Sequence, residues 1–133
     1  MRLMNKAVSA LAAAGIAAVS LIAIAPTASA AGCVTTGITT GYQDIGTVAY
    51  KANSGCSDLN LTYADAKDDN WECYFGMYKN AAGVWTDGAS GYHCRDDGWY
   101  GLDEVVLVTD LTPGRAFSVG AFSYGGDYVQ ITH

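Results

Sequence analysis

One nine-residue segment, Trp71–Lys79, carries the densest run of large side chains in the chain. Its sequence, WECYFGMYK, alternates when it is read with the period of two that a strand imposes. One face is apolar and the other is mostly polar and aromatic; the apolar face carries Trp71, Cys73, Phe75 and Met77. Turn residues follow at 80–83, and a short return strand comes after them. We therefore predict a central β-hairpin that the rest of the chain covers.

The chain after residue 30 consists of short alternating runs separated by turn residues. In one run, Leu59, Leu61 and Tyr63 alternate with polar residues, and no long run in this part has helical periodicity. This pattern is typical of a sandwich or barrel. We predict an all-β fold, a small antiparallel β-sandwich of immunoglobulin-like type. Its strands are expected near 46–52, 59–64, 71–79, 84–86, 105–109, 115–123 and 128–132.

Residues 1–30 have the features of a cleaved export signal. Arg2 and Lys6 form a short positive region, residues 7–25 are almost wholly apolar, and residues 28–30 form a small-x-small cleavage motif. A membrane anchor is an alternative, because the apolar run approaches the length that spans a bilayer. A lipid anchor at Cys33 is another, because residues 30–33 resemble a bacterial lipoprotein box. We predict a signal peptide at 1–30 and a single secreted domain at 31–133, without membrane insertion after cleavage.

The predicted mature domain is strongly acidic. It keeps five of the seven basic residues and all 13 acidic ones, which gives a formal charge of −8. Nucleic acid is excluded as a partner class, because binding to phosphates requires a basic surface. The charge is otherwise typical of a protein that stays soluble outside the cell.

All four cysteines lie in the predicted mature domain, at Cys33, Cys56, Cys73 and Cys94. An even number in a short exported chain indicates two disulfides. Three pairings are open, and we favour Cys33 with Cys56 and Cys73 with Cys94, because each closes a loop of about twenty residues. A zinc site is the alternative, but the chain has no C-x-x-C pair and the spacings do not match metal-ligand motifs.

The segment from Val105 to Val119 is the most informative about the fold type. A buried apolar strand runs into Leu111-Thr-Pro-Gly114, and an alternating strand follows with Phe117 and Val119 pointing inward. This resembles the L-x-P-G-x-x-Y/F-x-V pattern at the corner between strands E and F of fibronectin type III and related immunoglobulin-like domains. The resemblance implies a sandwich and no particular activity. Phe117 stands where those domains often have a tyrosine, so their corner hydroxyl bond does not transfer.

No catalytic constellation is found in the sequence, and we predict that the protein is not an enzyme. The histidines are His93 and the terminal His133, where frayed structure is expected. Ser90 is close to His93 in sequence, but no G-x-S-x-G motif is present. The carboxylates Asp96-Asp97 and Asp103-Glu104 are adjacent pairs, so a strand would point the members of each pair to opposite faces. A small two-carboxylate hydrolase remains an alternative.

Two further features leave alternatives open. The acidic loops 65–70 and 95–98 have the composition of solvated turns, which is the favoured interpretation. Calcium binding by their oxygens is the alternative, but neither loop has the D-x-[DN]-x-[DN]-G spacing. The Thr- and Gly-rich segment 31–45 is either an edge strand or an extended arm available for strand addition to a partner. No cofactor is predicted.

The predicted mature domain contains all 15 aromatic residues of the chain, more than a core of this size can use. We assign Trp71 and Trp85 to the core. We predict that Gly98-Trp99-Tyr100-Gly101 displays its two rings as a binding patch, because the glycines hold the backbone open and Trp and Tyr give a large contact area. Tyr92 and Tyr124 are expected to join it. The competing interpretation is that Trp99 belongs to the core.

These features together indicate an exported, non-enzymatic binding protein. We predict that its partner is another secreted protein, which it serves as an adaptor subunit of an extracellular, even a toxin, complex, or which it inhibits as a hydrolase inhibitor. The composition and signal resemble those of small secreted disulfide-bonded β proteins of filamentous Gram-positive bacteria, and this class implies such roles. A carbohydrate or cell-wall glycan, stacked on exposed rings, is the alternative partner.

Overall fold

The computed structural model describes residues 32–133, so the predicted signal peptide lies outside the described residues. Residues 33–133 form one compact unit. Its strands in chain order are β1 (Thr35–Thr39), β2 (Gly41–Tyr42), β3 (Ala49–Tyr50), β4 (Leu59–Asp65), β5 (Trp71–Lys79), β6 (Trp85–Asp87), β7 (His93–Asp96), β8 (Gly98–Trp99), β9 (Val106–Val108), β10 (Ala116–Ala121) and β11 (Tyr128–Thr132).

The strands form two sheets that pack face to face as a β-sandwich, as predicted. Sheet I has the order β1-β11-β4-β8, and β9 also pairs with β4. Sheet II has the order β2-β10-β5-β6, with β3 paired to β10 and β7 paired to β5. Every pair is antiparallel except the short pair of β2 with β10. Within residues 32–133, no helix is long and apolar enough to cross a membrane.

The pairing follows the fibronectin-like pattern in part. β4 pairs with β9 and β5 pairs with β10, as strands B with E and C with F do in immunoglobulin-like domains. The last strand departs from that pattern, because β11 lies between β1 and β4 in sheet I and not beside β10. From the sequence, segment 31–45 is either an edge strand or an extended arm. Its part Thr35–Thr39 is the edge strand β1, which pairs with β11 along five residues.

The central strand β5 has the predicted bounds but packs with its other face inward. Tyr74 is fully buried in the core between the sheets, and a Cβ at Gly76 would press against Leu107 and Val108 of sheet I. Because successive side chains alternate, Phe75 points to the outer face of sheet II, where the ring of Tyr92 covers it. The expectation that Trp71 belongs to the core is therefore wrong, since 45% of its surface is exposed.

The predicted disulfide pairing is confirmed. Cys73 and Cys94 are directly opposite each other on β5 and β7, and their disulfide crosses one strand pair. The second disulfide joins Cys33, just before β1, to Cys56, just before β4. Among residues 32–133, no cysteine is free. Two disulfides indicate an oxidising compartment outside the cytoplasm.

The expectation that His133 lies in a frayed end is wrong. Its side chain is 1% exposed, and its backbone exchanges hydrogen bonds with Val34. The ring nitrogen Nδ1 accepts the Ala52 backbone N–H (2.9 Å), so the proton of the neutral ring lies on Nε2, 2.9 Å from the Thr36 hydroxyl. The ring also meets the edge of Phe117 in the core. His133 thus joins the N-terminal strand to the core.

This environment predicts a stability loss below neutral pH. Burial, and then the charge of Lys51, lower the pKa of His133 below its usual 6.5. Well above pH 6.5 the ring is neutral in both states. As the pH falls through 6.5, the unfolded chain binds a proton first, so stability falls until the folded-state pKa is reached. The contribution is at most about 1.4 kcal/mol per pH unit.

The measurement is denaturant unfolding at intervals between pH 7.5 and pH 5.5. His133→Gln should flatten the pH dependence of the free energy of unfolding. His93→Gln should keep the part of that pH dependence that comes from His133. Burial and Arg95 also lower the pKa of His93, so the wild-type slope contains both contributions. An unchanged slope in His133→Gln contradicts the prediction.

Candidate functional site

The most exposed large ring of the described chain is Trp99, and the route of the backbone explains why. Between β7 and β8 the chain passes from sheet II to sheet I. Gly98 sits at this crossing with φ of 143°, in a region that favours glycine. β8 then pairs with β4 so that Trp99 lies directly opposite Tyr63. Trp99 stands on the outer face of sheet I with 71% of its surface exposed.

A bulge in β4 brings Tyr63 to the same face. Gln130 pairs with Tyr63, but the next residue of β11, Ile131, pairs with Leu61, so Thr62 has no opposite residue. Leu61 and Ala64 therefore both point into the core while Tyr63 points outward. The Tyr63 ring centroid lies 4.4 Å from that of Trp99 and 6.1 Å from that of Tyr128.

We call Trp99, Tyr63 and Tyr128 the aromatic row. Tyr128 extends it across β11 onto β1, because its ring lies over Gly37, where a Cβ would come within 2.6 Å of the tyrosine oxygen. The amide of Gln130 donates to that oxygen at 3.2 Å and holds the ring down. The row therefore crosses the outer face of sheet I from β8 to β1, and it presents apolar ring surface with polar edges.

The four predicted binding residues do not form one patch. Trp99 belongs to the aromatic row, whereas Tyr100 turns the other way, packs against the core and donates its hydroxyl to the Asp96 carbonyl. Burial, more than the neighbouring carboxylates, raises the pKa of Tyr100. Tyr92 lies on the opposite outer face, edge-on to Phe75 and Phe122. Tyr124 is exposed in the turn after β10.

The position of Tyr124 depends on Glu72, which the sequence prediction did not single out. The Glu72 side chain is 2% exposed, and its carboxylate accepts three backbone N–H groups at 2.8–3.0 Å, from Cys73, Ser123 and Tyr124. It thereby ties the turn after β10 to the start of β5. A glutamate within an otherwise apolar and aromatic strand is the only sequence signal for this role.

The two acidic loops do come together, because the Asp97 carboxylate of one loop accepts a backbone N–H of the other. A further carboxylate, Asp127 just before β11, accepts a second N–H of the 65–70 loop. Asp97 Oδ1 accepts the Ala66 N–H and Asp127 Oδ1 accepts the Lys67 N–H, both at 2.8 Å. Burial raises the pKa of Asp127. Among residues 32–133, no three His, Cys, Asp or Glu side chains are arranged to hold a metal ion.

Ser90 and His93 are hydrogen-bonded at 3.1 Å, a pair that could suggest a nucleophile and its base. The Ser90 hydroxyl, however, lies 3.2 Å from the carbonyl oxygens of Val106 and Leu107 and donates toward them. A base must instead accept the serine proton. The pair joins the turn before β7 to β9.

A concave region distinct from the aromatic row is lined in part by Tyr100. It is an open cleft of about 430 Å³ at the start of β5 and the end of β7. Its lining includes the rings of Trp71 and Tyr100. It also includes one basic residue and two acidic ones, Arg95, Asp96 and Glu104.

Comparisons with known proteins do not assign the chain to a family. No protein-family model, no curated protein and no solved structure matches the chain. The resemblance to small secreted sandwich proteins of Gram-positive bacteria stays a prediction.

Proposed function

We propose that the protein is a secreted, non-enzymatic binding protein that engages another secreted protein through the aromatic row. The observation that carries this proposal is Trp99, which is 71% exposed yet in contact with the tilted ring of Tyr63. A tryptophan held in place by a neighbouring ring loses little side-chain freedom on binding. Rigid aromatic residues of this kind are enriched among the residues that dominate binding energy at protein interfaces.

The surroundings of the row support a protein partner with basic residues. Asp65 is exposed and lies directly opposite Tyr128 in the pairing of β4 with β11. The predicted mature chain has a formal charge of −8. A complementary partner would place an apolar pocket over Trp99 and basic side chains around it, and the rate of association would fall with salt. Both proposed roles, an adaptor subunit and a hydrolase inhibitor, use such a surface.

A glycan is the second candidate partner for the same surface. It is favoured by the exposed rings of the row and by Gln130, whose amide lies beside the Tyr128 ring. Exposed aromatic rings can stack against sugar rings while neighbouring amides and carboxylates bind the hydroxyls.

The test is native co-purification of the protein from culture medium, followed by mass spectrometry of the proteins that accompany it. The affinity tag belongs in the exposed turn 81–83 between β5 and β6, because His133 is buried at the C-terminal end. Trp99→Ala should weaken binding of a stoichiometric secreted partner about 30-fold or more, as expected for a central anchor.

The matched control is Tyr50→Ala, which removes a ring of similar exposure from sheet II. It should leave the partner bound. A partner retained at full level by Trp99→Ala contradicts the proposed contact surface. A protein that co-purifies with nothing but is depleted by insoluble chitin, cellulose or peptidoglycan in a Trp99-dependent manner supports the glycan candidate instead.

A further inference from the structure

We propose that the cleft lined by Trp71, Arg95, Asp96, Tyr100 and Glu104 is a second binding site, and that its ligand is a neutral saccharide. This site is separate from the aromatic row, because Tyr100 faces away from Trp99. The inference does not depend on the protein partner proposed for the row.

The cleft is built where three segments meet. Trp71 begins β5 and pairs with Asp96 at the end of β7. The third segment contains Tyr100 and Glu104. Its position is fixed by the Tyr100 N–H, which donates to the Thr62 carbonyl at 3.0 Å. Glu104 also lines the cleft, and its carboxylate accepts the Gly101 N–H at 2.8 Å. Trp71 presents 45% of its surface, so its ring is available to a ligand in the cleft.

A disulfide and a hydrogen bond fix two parts of the cleft wall in the free protein. The disulfide between Cys73 and Cys94 joins the two strands two positions along from the Trp71–Asp96 pair, and Cys94 itself lines the cleft. The Tyr100 hydroxyl donates to the Asp96 carbonyl, which fixes one ring against the end of β7. A preorganised wall avoids the entropy cost of ordering side chains on binding.

The charges of the lining select against charged ligands of either sign. Arg95 disfavours an ammonium group, and the carboxylates of Asp96 and Glu104 disfavour a phosphate or a carboxylate. A neutral ligand with many hydroxyl groups fits both signs at once. Its hydroxyl groups can donate to the carboxylates and accept from the guanidinium, which has five donors and no acceptor.

The two rings specify the shape of that ligand. A sugar ring offers a face of C–H groups that can lie on the Trp71 ring, while its edge carries the hydroxyls toward the charged groups. The cleft volume of about 430 Å³ is at the small end of ligand sites, so it takes one or two sugar rings. Because the cleft is open, the rings can belong to a longer chain.

The experiment titrates the full mature protein with three soluble neutral probes, chitohexaose, cellohexaose and maltohexaose. Backbone NMR shifts report the site, and tryptophan fluorescence reports the affinity. We expect at least one probe to saturate, with shifts centred on Trp71, Arg95 and Glu104. Trp71→Ala and Glu104→Gln should each weaken that binding tenfold or more. Glu104→Gln keeps an oxygen for the Gly101 N–H, so it tests the charge without removing the turn.

Tyr50→Ala, which removes an exposed ring outside both the cleft and the aromatic row, is the matched control and should leave the affinity for the probe unchanged. Wild-type shift dispersion in each variant verifies the fold. The proposal is overturned if none of the three probes shifts the cleft residues. It is also overturned if binding is lost in Trp99→Ala and kept in Trp71→Ala, because the sugar then sits on the aromatic row. Stronger binding of spermidine or inorganic phosphate at the cleft overturns the neutral-ligand assignment.

Discussion

Glu72→Gln should lower the free energy of unfolding by about 2–4 kcal/mol, although the side chain keeps its size. The carboxylate accepts three backbone N–H groups in a buried site. Glutamine has one acceptor oxygen and one amide nitrogen, and that nitrogen would face an N–H donor. Hydrogen bonds to a charged acceptor contribute about 1.5–3 kcal/mol each, and a buried donor left without an acceptor costs a similar amount.

The matched control is Asp87→Asn, the same change of chemistry at an exposed position at the end of β6. It should shift stability by no more than about 0.5 kcal/mol. Denaturant unfolding at neutral pH measures both variants. A loss below about 1 kcal/mol in Glu72→Gln would show that the turn after β10 is held by other contacts. Faster amide exchange at Ser123 and Tyr124 should accompany the loss.

The long strands were predictable because each carries its own period. The bounds of β5 and β11 agree with the predicted ranges, and β4 differs by one residue. The short strands β2, β7 and β8 were not predicted. Two to four residues are too few to show a period, and these strands form because longer neighbours offer them backbone partners.

The inward face of β5 was not predictable from hydrophobicity, since both of its faces are buried. Gly76 lets sheet I approach closely on one side, and the Tyr92 and Phe122 rings shield Phe75 on the other. A strand that is covered on both faces gives no signal about which side meets the opposite sheet.

The candidate site, like the fold, could be predicted from the sequence only in part. Trp99 was predicted to be displayed because glycines flank the Trp99-Tyr100 pair, and the structure places it on the surface. Its neighbours in the aromatic row were not predicted. Tyr63 lies beside Trp99 through the pairing of β8 with β4, and the bulge at Thr62 turns it outward. Register between distant strands is a property of the assembled sheet and not of either sequence alone.

The two disulfides were predictable in pairing, and their removal gives a comparison of two matched loops. Their cysteines are separated by 23 and 21 residues, so the loop-entropy model assigns each about 3 kcal/mol of stability. The double substitutions Cys33→Ala/Cys56→Ala and Cys73→Ala/Cys94→Ala should therefore each lower Tm by roughly 12–24 °C for a domain of this size. Alanine avoids placing a new hydroxyl in the partly buried sites.

The two variants should differ in which part of the surface they loosen. Loss of the Cys73–Cys94 disulfide frees β7, which supplies Arg95 and Asp96 to the cleft, while β8 keeps Trp99 opposite Tyr63. Loss of the Cys33–Cys56 disulfide frees the start of β1, which lies beneath Tyr128 at Gly37. Amide exchange should rise at 93–96 in the first variant and at 34–37 in the second. A Tm change below about 4 °C in both variants contradicts the prediction, and so does the same amide-exchange pattern in both. Either result would mean that strand pairing alone, without the disulfide, holds each segment.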